Sequence, residues 1–233
     1  MFKVCVVIPV YNEEEQLASS VEKVLEVCKK NYKNFEIMIA DNASTDRTLE
    51  IAKDLAKKHN QVKFVHLDQK GRGRALKKAW TTTDADIMCY MDVDLSTDLK
   101  HLKELTDAIQ EGYDISFGSR HKKESELERS FKRDVLSRGY NFLLKLFLGV
   151  SFGDAQCGFK AINKKVAKEL IPKIQDNEWF FDTELLVKGE KFGYKLKEIP
   201  VKWIEDKGST VHIRKTVINY LKNIFRLRKE LKQ

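Results

Sequence analysis

Hydrophobic and polar positions in the first half of the chain alternate between two periods. Lys3 to Val10 is a β-branched run, and Glu13 to Lys30 sets Leu17, Val21, Val24, Leu25 and Cys28 at helical spacing. Phe35 to Ala40 is the next apolar run, after which Asn42-Ala43-Ser44-Thr45 supplies turn and N-cap chemistry for a helix through Leu49, Ile51, Ala52 and Leu55. A strand over Val62 to Leu67, a helix start punctuated by Gly71 and Gly73, and a strand from Ile87 to Asp92 continue the series. Leu99 to Ile109 reads as helix and Tyr113 to Ser119 as strand. Strands alternating with helices in this way predict an α/β fold with a largely parallel sheet covered on both faces.

In such a sheet, ligands gather at the carboxyl ends of the strands. The segments expected there are Pro9-Val10-Tyr11-Asn12-Glu13, Asp41-Asn42 and Asp92-Val93-Asp94. Carboxylates at i and i+2 on a strand share a face and can hold a hard divalent cation. A D-x-D tripeptide alone is more often a solvated turn. Three strand ends carrying acid or amide side chains point to a nucleotide site more strongly than any one does.

After Arg120 the texture changes. Arg120 to Arg138 holds seven Lys or Arg against four acids, and Tyr140 to Phe152 is almost continuously apolar, broken by Lys145 and Gly149. That stretch is too short to span a bilayer and predicts a core or interfacial helix. Lys164 to Ile171 and Phe181 to Lys191 read as helix, Leu196 to Val201 as strand, and Thr216 to Leu231 as a final helix.

At 233 residues the chain fits one large α/β domain, or such a domain with a C-terminal extension. Nothing in it reaches the roughly 18 to 20 apolar residues of a membrane span, and Met1-Phe2-Lys3 runs into a strand pattern with no signal-peptide pattern, so a cytoplasmic location is expected. Cys5, Cys28, Cys89 and Cys157 lie far apart without C-x-x-C pairing, which argues against disulfides and zinc and for buried thiols. The net charge of +8 is concentrated at the end, with eight Lys or Arg and one acid from Lys207 to Gln233. Such a tail fits nucleic acid, an anionic membrane or a solvated helix face. Its aromatic and basic residues form no stacking platform, which disfavours nucleic acid.

Val7-Ile8-Pro9-Val10-Tyr11-Asn12-Glu13-Glu14, Asp41-Asn42-Ala43-Ser44-Thr45-Asp46 and Asp92-Val93-Asp94, in that order, resemble the family 2 glycosyltransferases with a GT-A fold. Gly118-Ser119-Arg120, the run from Asp154 to Lys160, the run from Trp179 to Leu186 and Glu198-Ile199-Pro200-Val201-Lys202-Trp203 resemble the polyprenyl-phosphate branch, closest to dolichyl-phosphate β-glucosyltransferases and dolichol-phosphate mannosyltransferases. The resemblance runs from about residue 4 to about residue 210, leaving residues 211–233 as a basic amphipathic helix beyond a catalytic domain of residues 1–210.

The resemblance implies roles. Pro9, Tyr11 and Glu13 would lie beside the donor nucleoside, and Asp41 would accept a hydrogen bond from the base. Arg72, Val93 and Lys207 would line the donor site, with the Gly71-Arg72-Gly73-Arg74 turn offering two arginines to phosphates. Asp92 and Asp94 would hold Mg²⁺ or Mn²⁺; Ser96 stands where mannosyltransferase relatives carry Gln, so the third protein ligand would be a hydroxyl or water. Arg120, Arg133 and Ser137 match the acceptor-phosphate group of the mannosyltransferase branch. Asp182 and Glu184 match an acidic motif near the reaction centre, Asp182 being the catalytic candidate beside Asp92 and Asp94; the alternative is that Asp182 caps the following helix and Trp179 packs in the core. Lys207 to Thr210 matches a final loop over the diphosphate, with Lys207, His212 or Arg214 in place of an absent arginine.

The expected reaction is an inverting transfer of a hexose, from UDP-glucose ahead of GDP-mannose, to a polyprenyl phosphate. A phosphate monoester with a second pKa of about 6 is largely dianionic at neutral pH and requires no general base. The tail sets Val217, Ile218, Leu221, Ile224, Phe225 and Leu231 near one face, opposite Lys222, Arg226, Lys229 and Lys232, and fits a peripheral position on the cytoplasmic face of a membrane. Two other readings stay open: a family 2 transferase acting on a glycan or protein hydroxyl, and a non-catalytic nucleotide-binding module at membranes.

Overall fold

The structure, a computed structural model, describes residues 2–128, 130–205 and 213–232. The expected alternation is present: β1 (Val4–Val10), α1 (Leu17–Asn31), β2 (Phe35–Asn42), α2 (Thr48–Lys58), β3 (Val62–Leu67), α3 (Arg72–Thr82), β4 (Ile87–Met91), α4 (His101–Gln110) and β5 (Ile115–Ser119). The second half adds β6 (Glu126–Glu128), α5 (Phe131–Leu148), β7 (Phe159–Asn163), α6 (Lys164–Glu169), α7 (Phe181–Lys191), β8 (Leu196–Pro200), β9 (Lys202–Ile204) and α8 (Ile213–Glu230). Seven strands form one sheet in the order β3-β2-β1-β4-β7-β5-β8, and β6 and β9 pair separately.

The chain builds outward from β1 through β2 to β3, then returns to place β4 on the other flank of β1, with all these pairs parallel. That reversal of strand order opens a crevice at the carboxyl ends of β1 and β4. The pattern of alternation did not predict β7, which runs antiparallel between β4 and β5. Its sequence, Phe-Lys-Ala-Ile-Asn, carries Lys160 in mid-strand, and that lysine has 0% exposure because its ammonium is bound inside the protein.

Alternate side chains of the central strands fill two cores. Val7, Tyr90, Phe117 and Ile162 face one, with Trp80, Phe180 and Phe181; Val6, Ile8, Cys89 and Phe159 face the other, with Leu25 and Leu102. All four cysteines are free and buried, as expected.

Helix α8 docks by Tyr220, Ile224 and Leu227, which belong to the first core. This corrects the expected apolar face: Ile218 and Phe225 stay exposed, while Arg226 turns inward to a carboxylate. The helical wheel places Phe225 one step around from Ile224, so the two cannot both face the core. Helix α5 buries Ser137, Asn141, Leu144 and Leu148 but exposes Phe131, Val135, Phe142 and Leu146. At 100° per residue the exposed four fall within an arc of ~60° opposite the packed face. Among the described residues, no helix is long and apolar enough to cross a membrane.

Candidate active site

Three backbone distortions mark the crevice. Among the described residues, the non-glycine positions with positive φ are Asn12 (55°), Ala43 (62°) and Leu95 (52°), and each follows the carboxyl end of β1, β2 or β4. Left-handed backbone at such residues costs about 1 to 3 kcal/mol and persists where surrounding contacts impose it. Here the Asn12 side chain accepts from Thr45 N–H at 2.8 Å, and Ser44 Oγ accepts from Asn12 N–H at 3.0 Å, tying the ends of β1 and β2 together. Glu13 N–H donates to Thr48 Oγ1 at 2.7 Å.

At the end of β1, Pro9 is half-buried and the Tyr11 ring lies under the Lys70 ammonium, 3.4 Å from its centroid. At the end of β2, Asp41 has 0% exposure; its carboxylate meets His66 Nδ1 at 2.5 Å and accepts from Ser44 N–H at 3.3 Å. Next to it, Asn42 Oδ1 accepts the Gly71 N–H at 2.6 Å. Gly71 has φ of +156° and a Cβ there would stand 2.6 Å from the Asn177 carbonyl, so this turn requires glycine. The turn delivers Arg72 inward. Arg74, expected to face phosphates, instead donates to the carbonyls of Lys70 and Gln69 in its own loop, because the positive-φ turn at Gly71 folds that loop back within its reach.

Arg72 is the hub of the site. Its guanidinium donates to Asp92 Oδ1 at 2.7 Å and to Asp182 Oδ2 at 2.5 Å, and lies 5.0 and 4.9 Å from the ring centroids of Tyr90 and Trp179. Asp182 is buried and also accepts from Tyr90 O–H and pairs with Lys160 Nζ at 3.2 Å. Burial alone would raise the Asp182 pKa, but Lys160 and Arg72 outweigh it and hold the carboxyl below the usual range. Lys160 Nζ further donates to the carbonyls of Cys157 at 2.6 Å and Ala155 at 3.2 Å. Asp92, Arg72, Asp182 and Lys160 therefore form a charge-balanced chain from the crevice to the loop before β7. Lys160, Tyr90 and His66 escaped the sequence reading. The signal for Lys160 was a lysine inside an apolar run, and for His66 a residue level with Asp41 on the neighbouring strand.

Beyond β4, Val93 is buried, Asp94 is exposed and its Oδ1 accepts the Ser96 N–H at 2.9 Å. Ser96 Oγ is buried with no hydrogen-bond partner. A small cavity here is lined by Asp92, Asp94, Ser96, Gly158 and Trp203 among others. Two carboxylates and an unsatisfied hydroxyl are hard oxygen donors and suit Mg²⁺ or Mn²⁺. Among the described residues no group of three or more His, Cys, Asp or Glu gathers in metal-binding geometry, so the fit is to an ion whose other positions come from ligand or water.

The expected acceptor residues are differently disposed. Arg120 is buried and forms a two-pronged pair with Asp154, through Nε at 2.7 Å and Nη2 at 2.9 Å, which holds the Asp154 carboxyl well below its usual range despite burial. Arg133 meets Glu205 at 2.5 Å, and the buried Ser137 meets His121 Nε2 at 3.0 Å. Burial pushes the Cys157 thiol up to about 12, which removes it as a nucleophile. Glu184, expected near the reaction centre, lies elsewhere: it has 0% exposure and binds Arg226 of α8 at 2.6 Å, Lys188 at 2.8 Å and two backbone N–H groups. Two residues beyond Asp182 on a helix, it must point about 200° away. Lys207, His212 and Arg214 lie outside the residues whose side chains are described.

The chain resembles known proteins along most of its length. It is 39% identical over 212 residues to glycosyltransferase AglD of Haloferax volcanii, covering 89% of this chain but 34% of that protein. It is 31% identical to the dolichol-phosphate mannosyltransferase of Pyrococcus furiosus, over 97% of this chain and 64% of that one. It is 29% identical to the dolichyl-phosphate beta-glucosyltransferase of Drosophila melanogaster, over 88% and 68%. The chain thus spans about a third of the first of these relatives and about two thirds of the others. Its fold matches glucosyl-3-phosphoglycerate synthase from Mycobacterium tuberculosis, crystallised with Mn²⁺, UDP and glucosyl-3-phosphoglycerate, at a TM-score of 0.71 and 17% identity over 96% of this chain and 80% of that one. The sheet, with its antiparallel β7 and flanking helices, is accordingly a GT-A-like fold. A family model described as glycosyl transferase family 2 matches residues 5–171, and the chain belongs to that family of glycosyltransferases.

Proposed function

We propose that this enzyme transfers a hexose from a nucleotide sugar, UDP-glucose ahead of GDP-mannose, to the phosphate of a polyprenyl phosphate, with inversion at the anomeric carbon. The observation that carries the reading is the state of Asp182. Its oxygens are occupied by Arg72, Tyr90 and Lys160, and it is buried and acidic, so it is unsuited to take a proton from an attacking hydroxyl. An acceptor that arrives already ionised needs no such base. The names of the relatives above agree with a lipid phosphate acceptor.

In this reading Asp92 and Asp94, with Ser96 Oγ beside them, hold Mg²⁺ or Mn²⁺. When bound, the ion neutralises charge developing on the leaving diphosphate. Arg72 fixes the Asp92 carboxylate, and Asp182 with Lys160 fixes Arg72, so the donor site is preorganised rather than assembled on binding. Pro9, Tyr11 and Glu13 would border the nucleoside and Val93 the diphosphate, and Lys207, outside the described residues, is carried over from the resemblance alone. Arg120 cannot be the principal phosphate fork while Asp154 occupies two of its nitrogens. Arg133 and Ser137 remain acceptor candidates if Glu205 and His121 release them.

A lipid acceptor brings a membrane surface as partner, on its cytoplasmic face. The exposed stripe Phe131, Val135, Phe142 and Leu146 on α5 continues into Ile218 and Phe225 on α8, with Phe147 and Phe225 rings 5.5 Å apart at the seam. Lys145, Lys222, Arg228 and Lys229 are exposed on the same two helices. Apolar side chains framed by basic ones fit an interfacial helix pair on anionic lipid. The testing experiment is incubation with UDP- and GDP-hexoses, Mn²⁺ and a short polyprenyl phosphate. Lipid-linked hexose is expected; transfer only to free glycans would favour a hydroxyl acceptor, and nucleotide binding without turnover a non-catalytic module.

A further inference from the structure

We propose that His66 reads the edge of the donor nucleobase, accepting the N3–H of uracil on Nε2, and that Asp41 acts behind it as the group that orients the imidazole. This rests on the proposed nucleotide-sugar function.

The resemblance assigns the base contact to Asp41, yet Asp41 has no exposed surface. One carboxylate oxygen is engaged by His66 Nδ1 at 2.5 Å and the other by the Ser44 N–H at 3.3 Å. A base cannot approach within hydrogen-bonding distance of a carboxylate that presents no accessible atom. The accessible group on this carboxylate is the imidazole: His66 pairs in register with Asp41 across β2 and β3, and its side chain is 36% exposed. The strand end that should meet the base therefore presents a histidine ring, not a carboxylate.

The pairing also determines what the ring offers. In the tautomer that donates Nδ1–H to Asp41, the lone pair lies on Nε2. Among the described residues the nearest acid to that atom, Asp68, is 3.7 Å away on a fully exposed side chain, beyond a hydrogen bond. Uracil presents one N–H between two carbonyls, which suits a single acceptor. Guanine presents N1–H and an amino group side by side, a pair best taken by both oxygens of a free carboxylate, and Asp41 is not free to offer them. The geometry thus favours a uridine donor over a guanosine one.

The test is calorimetric binding, with Mn²⁺, of UDP, N3-methyl-UDP and GDP to the wild type and to His66→Ala. Loss of a specific hydrogen bond corresponds to about tenfold in affinity. The wild type should bind N3-methyl-UDP at least about tenfold more weakly than UDP; His66→Ala should lose about tenfold for UDP and show almost no further penalty for the methyl group. An equal methyl penalty in both proteins overturns the role of His66 while leaving the proposed function intact. Binding of GDP in preference to UDP overturns the inference but not sugar transfer as such, and absence of any nucleotide binding overturns both. His66→Gln, which retains an amide donor toward Asp41, serves as the folded comparison should the alanine variant lose stability.

Discussion

Gly158 and Asp92 are in direct backbone-to-carboxylate contact: a Cβ at position 158 would stand 1.8 Å from Asp92 Oδ2. The loop before β7 thereby forms one wall for the carboxylate and Arg72 the other. Since the carboxylate is the mobile end of a half-exposed side chain, an added methyl would rotate it off Arg72 rather than unfold the loop. Gly158→Ala is expected to lower kcat about 100-fold or more, in the range of a lost preorganised charge contact, while the thermal midpoint moves little. Steady-state kinetics alongside calorimetry checks this; unchanged kcat would show that the orientation of Asp92 is immaterial.

The buried pair Lys160 and Asp182 gives a stability prediction. Lys160→Met leaves Asp182 with Arg72 as its remaining cation in a site of almost no exposure and should cost about 3 to 5 kcal/mol. Combining it with Asp182→Asn removes both charges and should recover a large part of that loss. Urea denaturation of the two single variants and the double variant measures the coupling; additive losses would mean that the pair is not an interacting unit.

Acid sensitivity follows from buried carboxylates held low, among them Glu184, Asp182 and Asp154, and from one histidine. Glu184 is brought down to about 2 from 4.5: burial opposes this, but Arg226, Lys188 and two N–H groups prevail. A depressed carboxylate stabilises the fold above its unfolded value and loses that contribution as pH falls toward the folded one, here between about 4.5 and 2, worth about 3 kcal/mol. Asp182 and Asp154 act with the same sign. His121, lowered from 6.5 mainly by burial, adds an earlier loss as pH falls below 6.5, because the unfolded chain takes up the proton first. Stability by denaturant titration should decline below pH 6.5 and steeply below 4.5. Glu184→Gln should flatten the lower limb and loosen α8, detectable as faster amide exchange there.

The exposed stripe on α5 and α8 predicts binding to anionic vesicles. Phe142→Asp with Phe225→Asp, both at positions more than half exposed, should leave the fold intact and reduce vesicle sedimentation at least about tenfold. Transfer to a short, water-soluble polyprenyl phosphate should persist. Unaltered sedimentation would assign the membrane contact to another surface.

The first half of the fold was legible because β1 to β5 and their helices follow local periodicity, and local periodicity is what a sequence states directly. The strand-end positions of Asp41, Asp92 and Asp94 were legible too, since they follow from that alternation. What stayed hidden depended on partners distant in sequence. Lys160 carries no role in the sequence until Asp182, on a helix beginning at Phe181, is brought against it. Glu184 reads as a companion of Asp182 until α8 supplies Arg226. Arg120 reads as a phosphate fork until Asp154 fills it. Each is a buried ion pair closed by tertiary structure, and a charge pattern in sequence cannot distinguish such a pair from a solvated surface.

The most direct test of a base-independent transfer to a lipid phosphate is the product itself. With α-configured UDP-glucose, Mn²⁺ and a short polyprenyl phosphate, the anomeric proton and phosphorus couplings of the product should report a β-linked glucosyl phosphate ester, formed by the wild type and lost in Asp94→Ala. An α-linked product, glucose attached to a hydroxyl, or equal product from Asp94→Ala would contradict the account.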